Sequence, residues 1–104
     1  MTLQQFEAGL KEACPETYEI AAPEDKLRYV VWHRYGRHSH YGDNRNVLDI
    51  PKVQIDIVTN QELDFLVDDV CVALWTMGLA YYVQSEGYDP DYNAFRTILQ
   101  VEVV

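Results

Sequence analysis

Leu3, Phe6, Leu10 and Ala13 recur at the three- and four-residue intervals that share one face of a helix. Thr2 and Gln5 occupy capping-box positions, so residues 2–13 are expected to form an amphipathic helix. Pro15 ends it, and residues 14–26, with Pro15, Pro23 and several glutamates, read as a loop. The rhythm then changes. Residues 28–35 are rich in valine and aromatics and apolar on both faces, as expected of a central or doubly covered strand. Residues 36–46, with two glycines and two asparagines, read as a loop. Over 47–59, Val53, Ile55 and Ile57 alternate with Lys52, Gln54 and Asp56, a period-two strand. Pro51 implies an edge, a bulge or a strand start at that point. The two strands are expected to pair as a long antiparallel hairpin tipped by the 36–46 loop.

Leu63, Leu66, Val67, Val70, Leu74 and Met77 form a second helical stripe. Thr59 or Asn60 is the expected cap, and Gly78 fits the position just past the end. Strands at about 79–86 and 95–103 follow, joined by the turn-rich residues 87–93. The expected order is α-β-β-α-β-β. That gives an α+β two-layer sandwich, a mostly antiparallel four-stranded sheet with both helices on one face. A chain of 104 residues suits one domain, residues 1–104.

Charge adds a division within that domain. The formal net charge is −9, yet Lys26, Arg28, Arg34, Arg37, Arg45 and Lys52 fall in a segment with only Asp43 and Asp49 opposing them. That segment has net charge +4 and the remainder −13. An acidic body argues against nonspecific nucleic-acid binding. It favours a protein partner or further copies of the chain. No apolar run is long enough to span a membrane, and the first residues do not resemble a secretory signal. Cys14 and Cys71 are too few for a disulfide framework and read as reduced thiols of a protein folded in the cytoplasm.

Candidate chemistry is sparse. His33, His38 and His40, with Asp43 as a fourth ligand, have a spacing that a zinc site could use. The competing reading is one strand histidine and a solvated loop, which the glycine-flanked setting favours. His40 with Asp43 as an acid–base pair, or either cysteine as a nucleophile, would make an enzyme. Cys71 lies beside an apolar stripe and Cys14 beside glutamates, neither of which activates a thiol, and no nucleotide-binding or hydrolase motif is present. The chain is therefore read as non-enzymatic and without a cofactor. Tyr29, Trp32, Tyr35 and Tyr41 among basic residues suggest a nucleic-acid surface only superficially. Eight tyrosines in a short chain suit an interface. A basic hairpin bearing Arg37, His38, His40, Tyr41, Asp43, Asn44 and Arg45 could meet Glu62, Asp68 and Asp69 of another copy, head to tail.

The segments Leu27–Trp32, His40–Asn44, Lys52–Thr59 and Asn60–Asp64, with the tyrosine-rich stretch from Ala80 to Val103, resemble the tail terminator, or tail-completion, proteins of long-tailed bacteriophages and prophages. The resemblance covers most of residues 1–104 and consists of fold patterns, not catalytic signatures. It implies a structural virion protein, made in the bacterial cytoplasm, that forms a hexameric ring at the head-proximal end of the tail. Such a ring ends polymerisation of the tail-tube protein and docks to a head-completion protein, and DNA passes through it. Tyr41, Asp43 and Asn44 match the family's loop, whereas the histidines depart from its pattern. A head–tail connector or stopper protein is the neighbouring alternative. A small metal-binding or regulatory protein using His33, His38 and His40 is the alternative of a different class.

Overall fold

The computed structural model describes the backbone of residues 1–42 and 45–104 and the side chains of residues 1–37 and 50–104. The chain runs α1 (Leu3–Ala13), β1 (Thr17–Glu19), β2 (Tyr29–Gly42), β3 (Arg45–Thr59), α2 (Leu66–Thr76), β4 (Tyr81–Asp89) and β5 (Ala94–Glu102). The fold is α+β with two helices. Its sheet differs from the expected one: five strands in the order β1-β2-β3-β5-β4, with β1 parallel to β2 and the other pairs antiparallel.

Helix α1 begins as the capping pattern requires. The Gln5 N–H donates to Thr2 Oγ1 at 3.1 Å, and the Thr2 N–H donates to Gln5 Oε1 at 2.9 Å. Its buried face, Phe6 and Leu10, meets Leu66, Val70 and Leu74 of α2 over Val30, Trp32, Val53, Ile55, Ile57, Leu99 and Val101 of the sheet. Both helices therefore cover one face. Phe6 packs edge-on against Trp32, with ring centroids 5.7 Å apart. Trp32 Nε1 donates to Glu7 Oε2 at 2.9 Å, so the indole is buried without an orphaned donor.

Three local differences from the sequence pattern have physical causes. Residues 17–19, expected as loop, form β1 because the β2 edge offers unpaired groups; the Val30 N–H donates to the Glu16 carbonyl at 2.9 Å. Residues 36–42 and 45–46, also expected as loop, are strand, because the hairpin ladder continues through them. Helix α2 starts at Leu66 and not near Asn60, and neither Thr59 nor Asn60 caps it. Leu63 adopts φ 60° and is exposed. Asp64 accepts the Leu66 N–H at 2.8 Å and takes a two-point contact from Arg28 at 2.9 Å for each bond. The other end is as expected. Gly78 has φ 76°, and the Leu79 N–H reaches the Leu74 carbonyl at 2.9 Å, closing a Schellman motif.

Asp64 thus joins the start of β2 to the start of α2. Asp64→Ala is expected to cost about 1–2 kcal/mol, for a lost cap and a lost charge-assisted contact. The Arg28 guanidinium holds the Asp64 carboxyl below its ordinary value. A carboxyl lowered on folding adds stability above its unfolded value near about 4 and loses it as pH falls through the folded value. Urea melts at about pH 7 and about pH 3 check this: Asp64→Asn should lose that share of the acid dependence. An unchanged pH difference in that variant would refute the assignment.

Pro51 stands where β3 leaves β5. Its carbonyl accepts the Val103 N–H at 3.0 Å, beyond the last β3–β5 pair at Lys52–Glu102. The missing proline N–H falls where no further strand needs it.

Candidate functional site

The first feature is the arm made by β2 and β3. β1 pairs with β2 only as far as Trp32, and β5 pairs with β3 only from Lys52 onward. Past those points the two strands pair only with each other, to Gly42–Arg45. From Gly36 to Gly42 that is roughly 20 Å of two-stranded ribbon, at about 3.3 Å per residue. The molecule is accordingly elongated, 50 × 26 × 22 Å. Register shifts lie between Arg34 and Gly36 and between His40 and Tyr41; bulges of this kind increase the twist of a ribbon.

The residues expected at the arm divide into described and undescribed ones. Arg37 is exposed and pairs in register with Pro51. The backbones of His38, His40, Tyr41 and Arg45 lie in the ladder, opposite Ile50, Leu48, Asn46 and Gly42. Their side chains, and Asp43 and Asn44 altogether, lie outside the described residues. His33 is half-buried and pairs with Gln54, four residues of β3 from the register of His38. That is about 13 Å of strand, which separates His33 from the other two histidines along the hairpin. Among the described residues no group of three or more His, Cys, Asp or Glu side chains could hold a metal ion.

The structure also divides the basic segment. Lys26 pairs with Glu16 at 3.2 Å and Arg28 with Asp64 at 2.9 Å, both away from the arm. Arg34, Arg37 and Lys52 lie at its root. Glu62, Asp68 and Asp69 are exposed around the start of α2, just after β3 ends at Thr59, and so at the opposite end of the sheet from the arm. Within one protomer the basic root and the acidic end are therefore not brought together.

The sheet face without helices holds a polar cluster. Asp56, buried at 8% exposure, accepts Arg96 Nη2 at 2.6 Å and Gln54 Nε2 at 2.9 Å. Arg96 also donates Nη1 to Asp89 at 3.2 Å, and its guanidinium stacks 4.5 Å from the centre of the Tyr92 ring. The cluster ties β3, β5 and the turn after β4 together. Such a hydrogen-bonded network fits a structural role. The cysteines are equally quiet. Burial, more than the neighbouring Glu16, pushes the Cys14 thiol up, and a thiol held protonated is a poor nucleophile. Cys71 is partly buried and packs against the core cluster.

The second feature was missed by the sequence stripe. Phe65, Val72 and Trp75 are exposed, Trp75 to 80%. At 100° per residue they fall within one side of α2, opposite the buried Leu66, Val70 and Leu74. Asp68 and Asp69 share that outer side. At its start a groove of about 860 Å³ opens between the α2 entry and β4, with Leu63, Phe65 and Tyr88 in its walls and Glu62, Asp68 and Glu86 around them. The signal lay in the sequence. Helix 2 has more apolar residues than one buried stripe can use, and the surplus forms a second, outward stripe.

Neither protein-family models nor curated proteins give a match to this chain. No helix among the described residues is long and apolar enough to cross a membrane.

Proposed function

We propose that this chain is a structural protein of the virion, of the tail-terminator type. Copies form a ring at the head-proximal end of a phage tail, stop growth of the tail tube and offer the head its docking surface. On this reading the chain does no chemistry and needs no cofactor. One observation supports it most: a ribbon leaves its own sheet at one end of the molecule, and an acidic, aromatic surface lies at the other. Two different surfaces at opposite ends are what a head-to-tail ring requires. A two-stranded ribbon is marginal in water by itself, so a projecting arm of this length gains stability by docking. The sequence resemblance to tail-completion proteins supports the same class. A connector or stopper of the same junction would use the same geometry at a neighbouring position.

Electron microscopy of a lysate from a phage or prophage deleted for the gene tests the role. The expected result is full heads beside unattached tails of uncontrolled length. Unattached tails of normal length would move the protein to the stopper step, and normal virions would refute a structural role. A second prediction concerns the arm. Reversing Arg37 and Arg45 to glutamate is expected to weaken self-association about tenfold or more while leaving circular dichroism and melting unchanged. Collapse of the spectrum would show instead that these residues hold the fold.

A further inference from the structure

Among the described residues the outward side of α2 has no partner. Phe65, Val72 and Trp75 are exposed to 76%, 61% and 80%, and Leu63 at the entry to 91%. Four large apolar side chains at that exposure present roughly 500–600 Å² of apolar surface, which is at the upper limit for a monomeric protein. The inner stripe of the same helix already supplies the core, so folding does not require these residues. Carboxylates surround them: Asp68 and Asp69 in the first turn, Glu62 before it and Glu86 across the groove.

An apolar strip edged with carboxylates fits a surface that is cationic and partly apolar. The chain has such a surface at the arm root. By register, Arg34 and Arg37 lie opposite Val53 and Pro51, on the sheet face that carries the helices, where Pro51 is partly exposed. The acidic first turn of α2 follows Thr59, whereas the arm root lies beyond Lys52, about 23 Å away along β3 at about 3.3 Å per residue. One protomer cannot bring them together, but two can. The contact between them is heterologous, so repeating it makes a ring or a filament.

We propose that the outer face of α2, with Phe65, Val72 and Trp75 as its apolar spine and Asp68 and Asp69 as its charged border, is the docking site for the arm root of a second copy of this chain. The proposal rests on the ring reading above and names the surface the ring would use. The apolar spine supplies affinity, since desolvated aromatic anchors dominate interface energies. The charges set direction, because like-charged alternatives repel.

The protein carries its own reporter. Trp32 is buried at 3% exposure and Trp75 is at 80%, so collisional quenching of the free chain reads Trp75 almost alone. Sedimentation and acrylamide quenching are to be followed together as the concentration of the full chain rises to about 1 mM, the weak end of measurable affinity. The expected result is association accompanied by protection of Trp75 and weakened by salt. Trp75→Ser, at an exposed position, should keep the melting curve and raise the dissociation constant about tenfold or more. Two charge-reversed chains complete the test. Asp68→Arg with Asp69→Arg, and Arg34→Glu with Arg37→Glu, should each fail to self-associate, and their mixture should associate again. A chain that stays monomeric with Trp75 open to quencher overturns the proposal. So does association that survives Trp75→Ser, or a mixture that gains nothing. The deletion phenotype is independent of these results. Unattached tails alongside an intact ring of the Trp75→Ser variant would leave the structural role standing and remove only this surface.

Discussion

Leu74→Asp is expected to leave the chain without a cooperative melting transition. Leu74 has no exposed surface, and it lies among Phe6, Leu10, Val70 and the core face of the sheet. The substitution removes apolar burial worth about 2–5 kcal/mol if truncated to alanine. It adds a carboxylate with no cation in the surrounding cluster. A buried unpaired charge costs several kcal/mol more. A domain of this size has about 5–15 kcal/mol in total, so the two losses together are comparable with its whole stability. Helix α2 also packs against both α1 and β3, and its loss would expose core residues of each. Circular dichroism with a thermal scan is the check. A melting curve like that of the unmodified protein would remove α2 from the core.

Arg96→Ala is expected to cost about 3 kcal/mol. Arg96 is the shared donor to Asp56 at 2.6 Å and Asp89 at 3.2 Å, and it stacks on Tyr92. Its removal leaves Asp56, at 8% exposure, with only the Gln54 amide as donor. Most of the loss is therefore the penalty of an uncompensated carboxylate, not the worth of the pair. That distinction is measurable. Adding Asp56→Asn to Arg96→Ala should recover part of the stability, because the neutral amide no longer needs a cation. Urea melts of the two single variants and the double variant complete the cycle. A double variant no more stable than Arg96→Ala would mean that the turn contacts to Asp89 and Tyr92 dominate.

Much of the architecture was legible locally. The α1 capping box, the alternation of Val53, Ile55 and Ile57, the inner stripe of α2 and the stop at Gly78 are signals that neighbouring residues create and read together. The pairing of two long strands as a hairpin was legible for the same reason, since the strands follow one another in the chain. The site was less legible. Charge counting along the sequence joined Lys26 and Arg28 to the arm residues, but folding spends both on Glu16 and Asp64. The outward stripe of Phe65, Val72 and Trp75 could be recognised as surplus only once the buried stripe was fixed.

The sequence by itself determined the two helical stripes and the central parts of four strands, where α1 starts and where α2 stops, because periodicity and capping act within a few residues. The tertiary structure alone decided the rest. It added β1, whose three residues have no periodicity of their own and are strand only because the β2 edge binds them. It placed the start of α2 at Leu66 through Asp64 and Arg28, partners 36 residues apart. It set the acidic face and the arm at opposite ends of one molecule. Each of these depends on groups distant in the chain, whose meeting no local pattern encodes.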